Sequence, residues 1–313
     1  MKILVMGGTE FVSSSLVRYL LAKNHTIDIF TRGIRSLKYS GVSNHYKGDR
    51  RLINDLERSI KGVKYDYVFD MSAYMLVDVQ NLLDTLDKEN LKRYIFCSSG
   101  SVYQSNNNFI TEDFNRGYNE NWGDYGLNKL QIEDYLFNLF KNTHFPVVIF
   151  RPTYIYGEEN NLYRESYIFD RLKNNLDIPI PDSNSRLQFI HIMDLVKVFE
   201  SAMYNENTIG ESYNVVHPDV ITWDTLINTA MKITNTRVNI KKVDSTLDIK
   251  SREYFPFRDC TYLLDTHKAK NHNLYQPQIS LIDGLGRAYK WYCKVHPKLK
   301  DDKMKKIEQV LKK

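Results

Sequence analysis

Apolar runs alternate with stretches of helical period through the first half of the chain. Residues 3–6 (Ile-Leu-Val-Met) form a short continuous apolar run, as a strand buried on both faces requires. A glycine turn follows, then apolar positions at helical spacing over residues 11–23. Strand patterns recur at 26–31, more weakly at 42–46, and again at 65–70, 93–97 and 146–150. Helical patterns occupy 77–87 and 122–142. This repeated strand–helix–strand order predicts an α/β fold built on a doubly wound parallel sheet. Beyond residue 157 the pattern breaks up, although 186–190 reads as a strand and 193–204 as a helix. The expected division is a dinucleotide-binding domain from 1–157 and 186–217. A smaller, discontinuous substrate domain would take 158–185 and 218–313. No internal repeat is visible, and 105–108 (Ser-Asn-Asn-Asn) is an expected exposed loop.

Composition narrows the class. With 42% hydrophobic and 26% charged residues in 313, the chain can bury a substantial core. The net charge of +5 is matched by the last twenty residues alone, where eight lysines face Asp301, Asp302 and Glu308. Such a tail reads as a solvated helix face, with a nucleic-acid or membrane contact as the alternative. Cys97, Cys260 and Cys293 are too few and too scattered for a disulfide framework or a zinc site. They fit a reducing, cytoplasmic setting, and no metal is expected. No signal-peptide pattern and no membrane-length apolar run are seen, so no membrane partner is expected.

Candidate chemistry begins in the turn Gly7-Gly8-Thr9-Glu10-Phe11-Val12-Ser13, between the first strand and first helix. A backbone that approaches a pyrophosphate needs glycine, and a helix start offers free N–H groups and a positive dipole end. Gly7, Thr9, Glu10, Phe11 and Val12 are therefore candidate cofactor contacts. A G-x-x-G-x-x-G fingerprint would place glycine where Glu10 and Ser13 stand. Ser13 still permits close helix–sheet packing. Glu10 either faces the phosphates or turns to solvent. The alternative for the whole segment is a tight structural turn. At the end of the second strand, an acidic residue would hold the ribose hydroxyls, but Thr31 and Arg32 stand there. That pair leans toward a 2′-phosphate. The cofactor is NAD or NADP, leaning to NADP.

Tyr125 and Lys129 are spaced i, i+4 and so share one helix face. A tyrosine hydroxyl titrates near ~10, and a nearby ammonium lowers that value. The pair suits proton transfer beside a hydride acceptor. Surface helices also carry this spacing by chance. What raises it above chance is Cys97-Ser98-Ser99 at the end of the fifth strand, where a doubly wound sheet opens its ligand crevice. Ser99 would hold the oxygen that Tyr125 protonates. Of the remaining residues, His191 reads as a structural hydrogen-bonder and Cys97 as core. Asp70 fits either a structural or a cofactor-side role. Trp122 and Tyr103 either line the pocket or pack.

The ordered set GGTEFV (7–12), GDRR (48–51), VFDMSAY (68–74), YIFCSSGSVY (94–103), YGLNK (125–129), RPTYIYG (151–157) and FIHIMDL (189–195) resembles the extended short-chain dehydrogenase/reductases. Within them it is similar to the NAD-dependent epimerase/dehydratase group that acts on nucleotide sugars. The likeness spans about residues 1–290. GGT-x-F, T-R-G and G-D-R resemble a branch that includes the chloroplast stem-loop RNA-binding proteins; that branch usually has arginine in place of Glu10 and glycine in place of Ser13. The resemblance implies Ser99, Tyr125 and Lys129 as the catalytic set, with Lys129 also holding the cofactor. It implies Asp49 and Arg50 beside the adenine, Met71, Ser72 and Ala73 along the dinucleotide, and Pro152 and Thr153 near the nicotinamide. On the substrate side it implies Tyr74, Tyr154, Arg186 and Arg258. Tyr154 replaces an asparagine common in the group, and Arg186 is displaced by one residue from the usual register.

The expected activity is that of an NAD(P)-dependent epimerase or oxidoreductase at a hydroxyl or keto carbon. Dehydration is disfavoured, because Gly100-Ser101 replaces the Asp-Glu pair that dehydratases carry. Expected partners are a small-molecule substrate, foremost a nucleotide sugar, and a second copy of the chain as a homodimer. The alternatives are an RNA-binding protein on the same fold and a dinucleotide sensor without turnover.

Overall fold

The apolar run that opens the chain becomes β1 (Lys2–Met6) in the computed structural model, which describes residues 1–312. Its side chains alternate between two cores. Ile3 and Val5 pack on one face and Leu4 and Met6 on the other, which is why the run is continuously apolar. The first half continues as α1 (Phe11–Ala22), β2 (Thr26–Thr31), β3 (Asn44–Lys47), α2 (Ile53–Ile60), β4 (Tyr67–Asp70), α3 (Leu76–Thr85), β5 (Arg93–Cys97), α4 (Asp124–Thr143) and β6 (Val147–Pro152). Then come β7 (Tyr154–Tyr156), α5 (Glu165–Lys173), β8 (Ile178–Pro181), β9 (Phe189–His191), α6 (Ile192–Ser201) and β10 (Glu211–Val215). The chain ends with α7 (Trp223–Thr234), β11 (Ile240–Val243), α8 (His267–Asn271), α9 (Leu281–Val295) and α10 (Ile307–Leu311).

Seven strands pair in parallel in the order β10-β6-β5-β4-β1-β2-β3. Helices α1 and α6 cover one face, and α2, α3 and α4 the other. This is the expected doubly wound α/β sheet. Strand order reverses between β1 and β4, so a crevice opens beyond their carboxyl ends. A third core gathers β7, β8, β9, β11, α5, α7 and α9 around Trp223, Phe255 and Phe257.

In the second half, two boundaries differ from expectation. The strand expected at 186–190 shrinks to β9, because Leu187 bridges Ile221 and Tyr262 instead of extending the β7 pairing. The helix expected at 193–204 ends at Ser201, whose hydroxyl bonds back to the Val198 carbonyl, and finishes as a 3₁₀ turn. The pieces of the second half that showed no clear period are ordered largely by caps. Thr222 and Ser280 cap α7 and α9, while Asn235 and His296 end them in the left-handed conformation.

Candidate active site

At the crevice, β1 runs into Gly7 and Gly8, whose φ values of +116° and +125° favour glycine. The Gly7 N–H donates to the Phe30 carbonyl at 2.9 Å. A Cβ on Gly7 would come within 3.0 Å of the Ser13 side chain. Ser13 thus fills the space beside the turn, and its hydroxyl donates to the Glu10 carbonyl at 2.9 Å. Phe11 opens α1 with φ +28°, a strained value for a residue with a side chain. No side chain caps α1, and no acidic residue lies in its first turn. Its N-terminal amides are left for a ligand, so the residues present fit a dinucleotide pyrophosphate. The Glu10 carboxylate is engaged by other side chains. It pairs with Arg35 at 2.9 Å and accepts from Asn161 at 3.2 Å. Tyr39 donates to the Gly8 carbonyl. Thr9 and Val12 lie half-buried in the same segment.

At the end of β2 the Thr31 hydroxyl shares a 2.8 Å hydrogen bond with His45 and accepts from the Gly33 N–H. Arg32 is exposed. Asp49 is gripped by Arg51 at 2.7 Å, and those hydrogen bonds hold its carboxyl down at about 2. Arg50 does not reach toward a ligand. Its guanidinium is bound in a fork to Asp70 at 2.7 and 2.6 Å, and also to the Ser72 hydroxyl and the Asp78 carbonyl. All five of its N–H groups are engaged. Asp70, which also accepts from Tyr94 at 2.6 Å, is thereby a structural residue.

Lys129 is buried on α4 and donates to the carbonyls of Ala73 and Cys97, each at 2.8 Å. It therefore ties the ends of β4 and β5 together and keeps one N–H to spare. Burial lowers its pKa. Ser99 caps the short 3₁₀ turn 100–102, accepting from the Ser101 N–H at 3.2 Å. Its hydroxyl lies on the side of the Tyr125 phenol and opposes, without offsetting, the upward push of burial on that group. Gly126 makes this approach possible, since a Cβ there would overlap the Ser101 carbonyl. Tyr125 is 39% accessible, yet loss of hydration around its hydroxyl, then Cys97 and Tyr74, push its pKa up. The expected lowering by Lys129 is not what the geometry delivers. The cation that most favours the phenolate is Arg164. Tyr74 lies beside Tyr125, with ring centres 6.3 Å apart. Ser99, Tyr125, Lys129, Ala73 and Tyr74 are thus brought together. Met71 and Ser72 follow β4 toward the Gly7 turn. Thr153, just past Pro152 at the end of β6, donates to the Gln188 carbonyl.

An aromatic wall faces the triad from the third core. Trp122 packs against Tyr154 and Tyr262, with ring centres 6.0 and 5.2 Å away. Arg258 stacks on Trp122 at 4.5 Å. The Tyr262 hydroxyl covers Gly100 so closely that a Cβ there would lie 2.5 Å away. Arg186 points elsewhere and donates to the Asn107 carbonyl. Tyr103 packs internally between Arg151 and Asn214, and His191 is buried, its Nδ1 capping α6. Tyr262 and Arg164 escaped sequence reasoning because neither lies in a recognisable motif. Among the described residues no cluster of three or more His, Cys, Asp or Glu side chains suits a metal, and no helix is long and apolar enough to cross a membrane.

Residues 3–215 match the model of the NAD dependent epimerase/dehydratase family. The chain is 29% identical to the chloroplast stem-loop binding protein of 41 kDa b of Arabidopsis thaliana, over 92% of this chain and 78% of that one. Its fold is similar to that of UDP-glucose 4-epimerase from Thermotoga maritima, solved with UDP-glucose, at a TM-score of 0.80 and 19% identity. That likeness covers 95% of this chain and 100% of the other. UDP-glucuronic acid 4-epimerase from Bacillus cereus, solved with NAD, gives a TM-score of 0.77 at 22% identity, with 95% and 100% covered. At these identities the two solved structures speak for the fold.

Proposed function

The chain belongs to the NAD-dependent epimerase/dehydratase family, and we propose that it is an NAD(P)-dependent epimerase or oxidoreductase acting at a hydroxyl or keto carbon of a nucleotide sugar. The observation that carries this reading is the convergence of Ser99, Tyr125 and Lys129 at the ends of β4 and β5. Bound in the crevice, the dinucleotide would supply the hydride acceptor. Tyr125 takes or gives the proton of the reacting oxygen. Ser99 would hold that oxygen, and the spare N–H of Lys129 would hold the cofactor's ribose. The third core, with its wall of Trp122, Tyr154 and Tyr262, is the proposed substrate side.

Dehydration is disfavoured on steric as well as chemical grounds. Position 100 lies under the Tyr262 hydroxyl, where no acidic side chain fits without displacing it. NAD is the cofactor of the family. A preference for NADP is supported by the neutral Thr31 and the exposed Arg32, and the Glu10 charge is matched by Arg35. Three free cysteines support a reducing, cytoplasmic setting.

Tyr125→Phe tests the assignment. Turnover of nucleotide sugars, followed with NAD(P), should fall by at least ~10²-fold, the scale of a lost general acid/base. Near-wild-type turnover would refute it. One observation favours a second reading, binding of nucleic acid stem-loops: the similarity to the Arabidopsis protein over 92% of the chain. A gel shift with a stem-loop RNA that weakens with salt and persists without cofactor would support it; no shift at low salt would dispose of it.

A further inference from the structure

We propose that Arg164 binds a carboxylate on the sugar itself, close to the carbon that Tyr125 serves, so that the preferred substrate is a nucleotide-linked sugar acid. This rests on the nucleotide-sugar reading above. Arg164 precedes α5 at the inner edge of the third core and is half-buried. Its guanidinium stacks on Tyr154 at 5.2 Å and on Phe257 at 5.7 Å. Among the described residues no carboxylate pairs with it. The other buried or half-buried arginines of the fold are matched: Arg50 by Asp70, Arg93 by Glu206, Arg151 and Arg116 by Glu133, Arg171 by Glu308, Arg252 by Asp301. Of the buried and half-buried arginines among the described residues, Arg164 and Arg258 stand without one. A partly desolvated cation without an anion is costly, and burial accordingly lowers the pKa of Arg164.

Two buried phenols stand beside this position. The hydroxyls of Tyr154 and Tyr262 are buried there without hydrogen-bond partners among the described residues, the two residues being 3% and 5% exposed. Their ring centres lie 5.7 Å apart. Tyr262 in turn faces Ser99, and the Arg164 charge reaches the Tyr125 phenol. An anion held by Arg164 therefore lies within electrostatic reach of the acid/base. The two unmatched cations also repel each other, Arg258 helping to depress Arg164. Two separate anionic groups would satisfy both. Arg258, stacked on Trp122, remains for a diphosphate. Arg164, nearer the reacting end, takes a planar carboxylate in a two-pronged grip, with a phenol hydroxyl donating beside it.

Isothermal titration of the full chain with UDP-glucuronate and UDP-glucose separates the possibilities. Wild type should bind UDP-glucuronate at least ~10-fold more tightly, the scale of a charged hydrogen-bonded pair. Arg164→Met should erase that difference and leave UDP-glucose binding within about twofold. Equal loss for both ligands would make Arg164 a diphosphate contact and overturn the proposal, as would the absence of any preference in wild type. If neither nucleotide sugar binds, it is the nucleotide-sugar reading that fails. The carboxylate site is then read from Trp122 fluorescence, which free glucuronate should quench in wild type but not in Arg164→Met, with glucose inert in both. No glucuronate response in wild type would equally overturn the proposal. Since Arg164 gives up no ion pair, the melting temperature of the variant should hold or rise; Arg164→Gln replaces it should the methionine variant fail to fold.

Discussion

Tyr125 decides the chemistry through its protonation state. Its phenol is pushed above the ordinary value of 10.0, first by loss of hydration and then by Cys97 and Tyr74. It is therefore protonated at neutral pH. As an acid, in reduction, it is ready; as a base, in oxidation, it must first lose its proton. kcat/KM for oxidation should accordingly rise about tenfold per pH unit through neutrality without levelling below ~10, while reduction stays flat over that range. A plateau near pH 7 in the oxidation profile would show a depressed phenol and contradict this environment. At the same scale lies the boundary of what the sequence discloses. Tyr125, Lys129 and Ser99 were legible, because their spacing and their place at a strand end carry the chemistry. Arg164 and Tyr262 were not. An arginine is remarkable only when its neighbours lack a carboxylate, and a tyrosine only when its hydroxyl lacks a partner. Both conditions belong to three-dimensional surroundings. Arg50 shows the converse: its motif was visible, but the forked pairing with Asp70 that occupies it was not.

Among the elements, α4 carries the site, and one residue holds it in place. Tyr125, Lys129 and Glu133 follow at i, i+4 and i+8, on one helix face. Glu133 is wholly buried. It accepts from Ser98 at 2.6 Å and from Arg151 at 2.7 Å, and it pairs with Arg116 at 3.0 Å. These bonds tie the helix to the residue before Ser99 and to the strand before Thr153. Glu133→Gln removes the charge and leaves the buried Arg151 unmatched, while Arg116 keeps Asp134 at 2.8 Å. Such a loss typically costs about 3–5 kcal/mol. Chemical denaturation should show that destabilisation. At temperatures where the variant is folded, kcat should fall more than KM rises, and the alkaline rise of oxidation should stay in place, because Glu133 orients the phenol without touching substrate. An unchanged kcat would mean that the helix keeps its register without this anchor.

For the whole molecule, the first half could be read from the sequence because each buried parallel strand is a continuous apolar run with a helix after it. The third core could not, because its strands are short and paired two by two, and its helices bury narrow stripes against partners far away in sequence. The tail illustrates the difficulty. By composition it is a lysine-rich arm that either lies in solvent or grips a polyanion. In the fold, Met304 and Val310 are buried in the third core, and Asp301, Lys306 and Glu308 pair with Arg252, Glu253 and Arg171. Those surface pairs contribute little individually, and the apolar burial contributes more. Deleting residues 297–313 should therefore destabilise the protein by roughly 3–6 kcal/mol, at about 1.5–3 for each of the two large apolar side chains lost. Thermal unfolding in high salt separates the contributions, since salt screens the ion pairs and leaves apolar burial intact. A deletion that leaves stability unchanged but abolishes a stem-loop gel shift would instead make the tail a nucleic-acid arm. A deletion that lowers stability at every salt concentration makes it the last piece of the substrate-side core, holding α5 beneath Arg164.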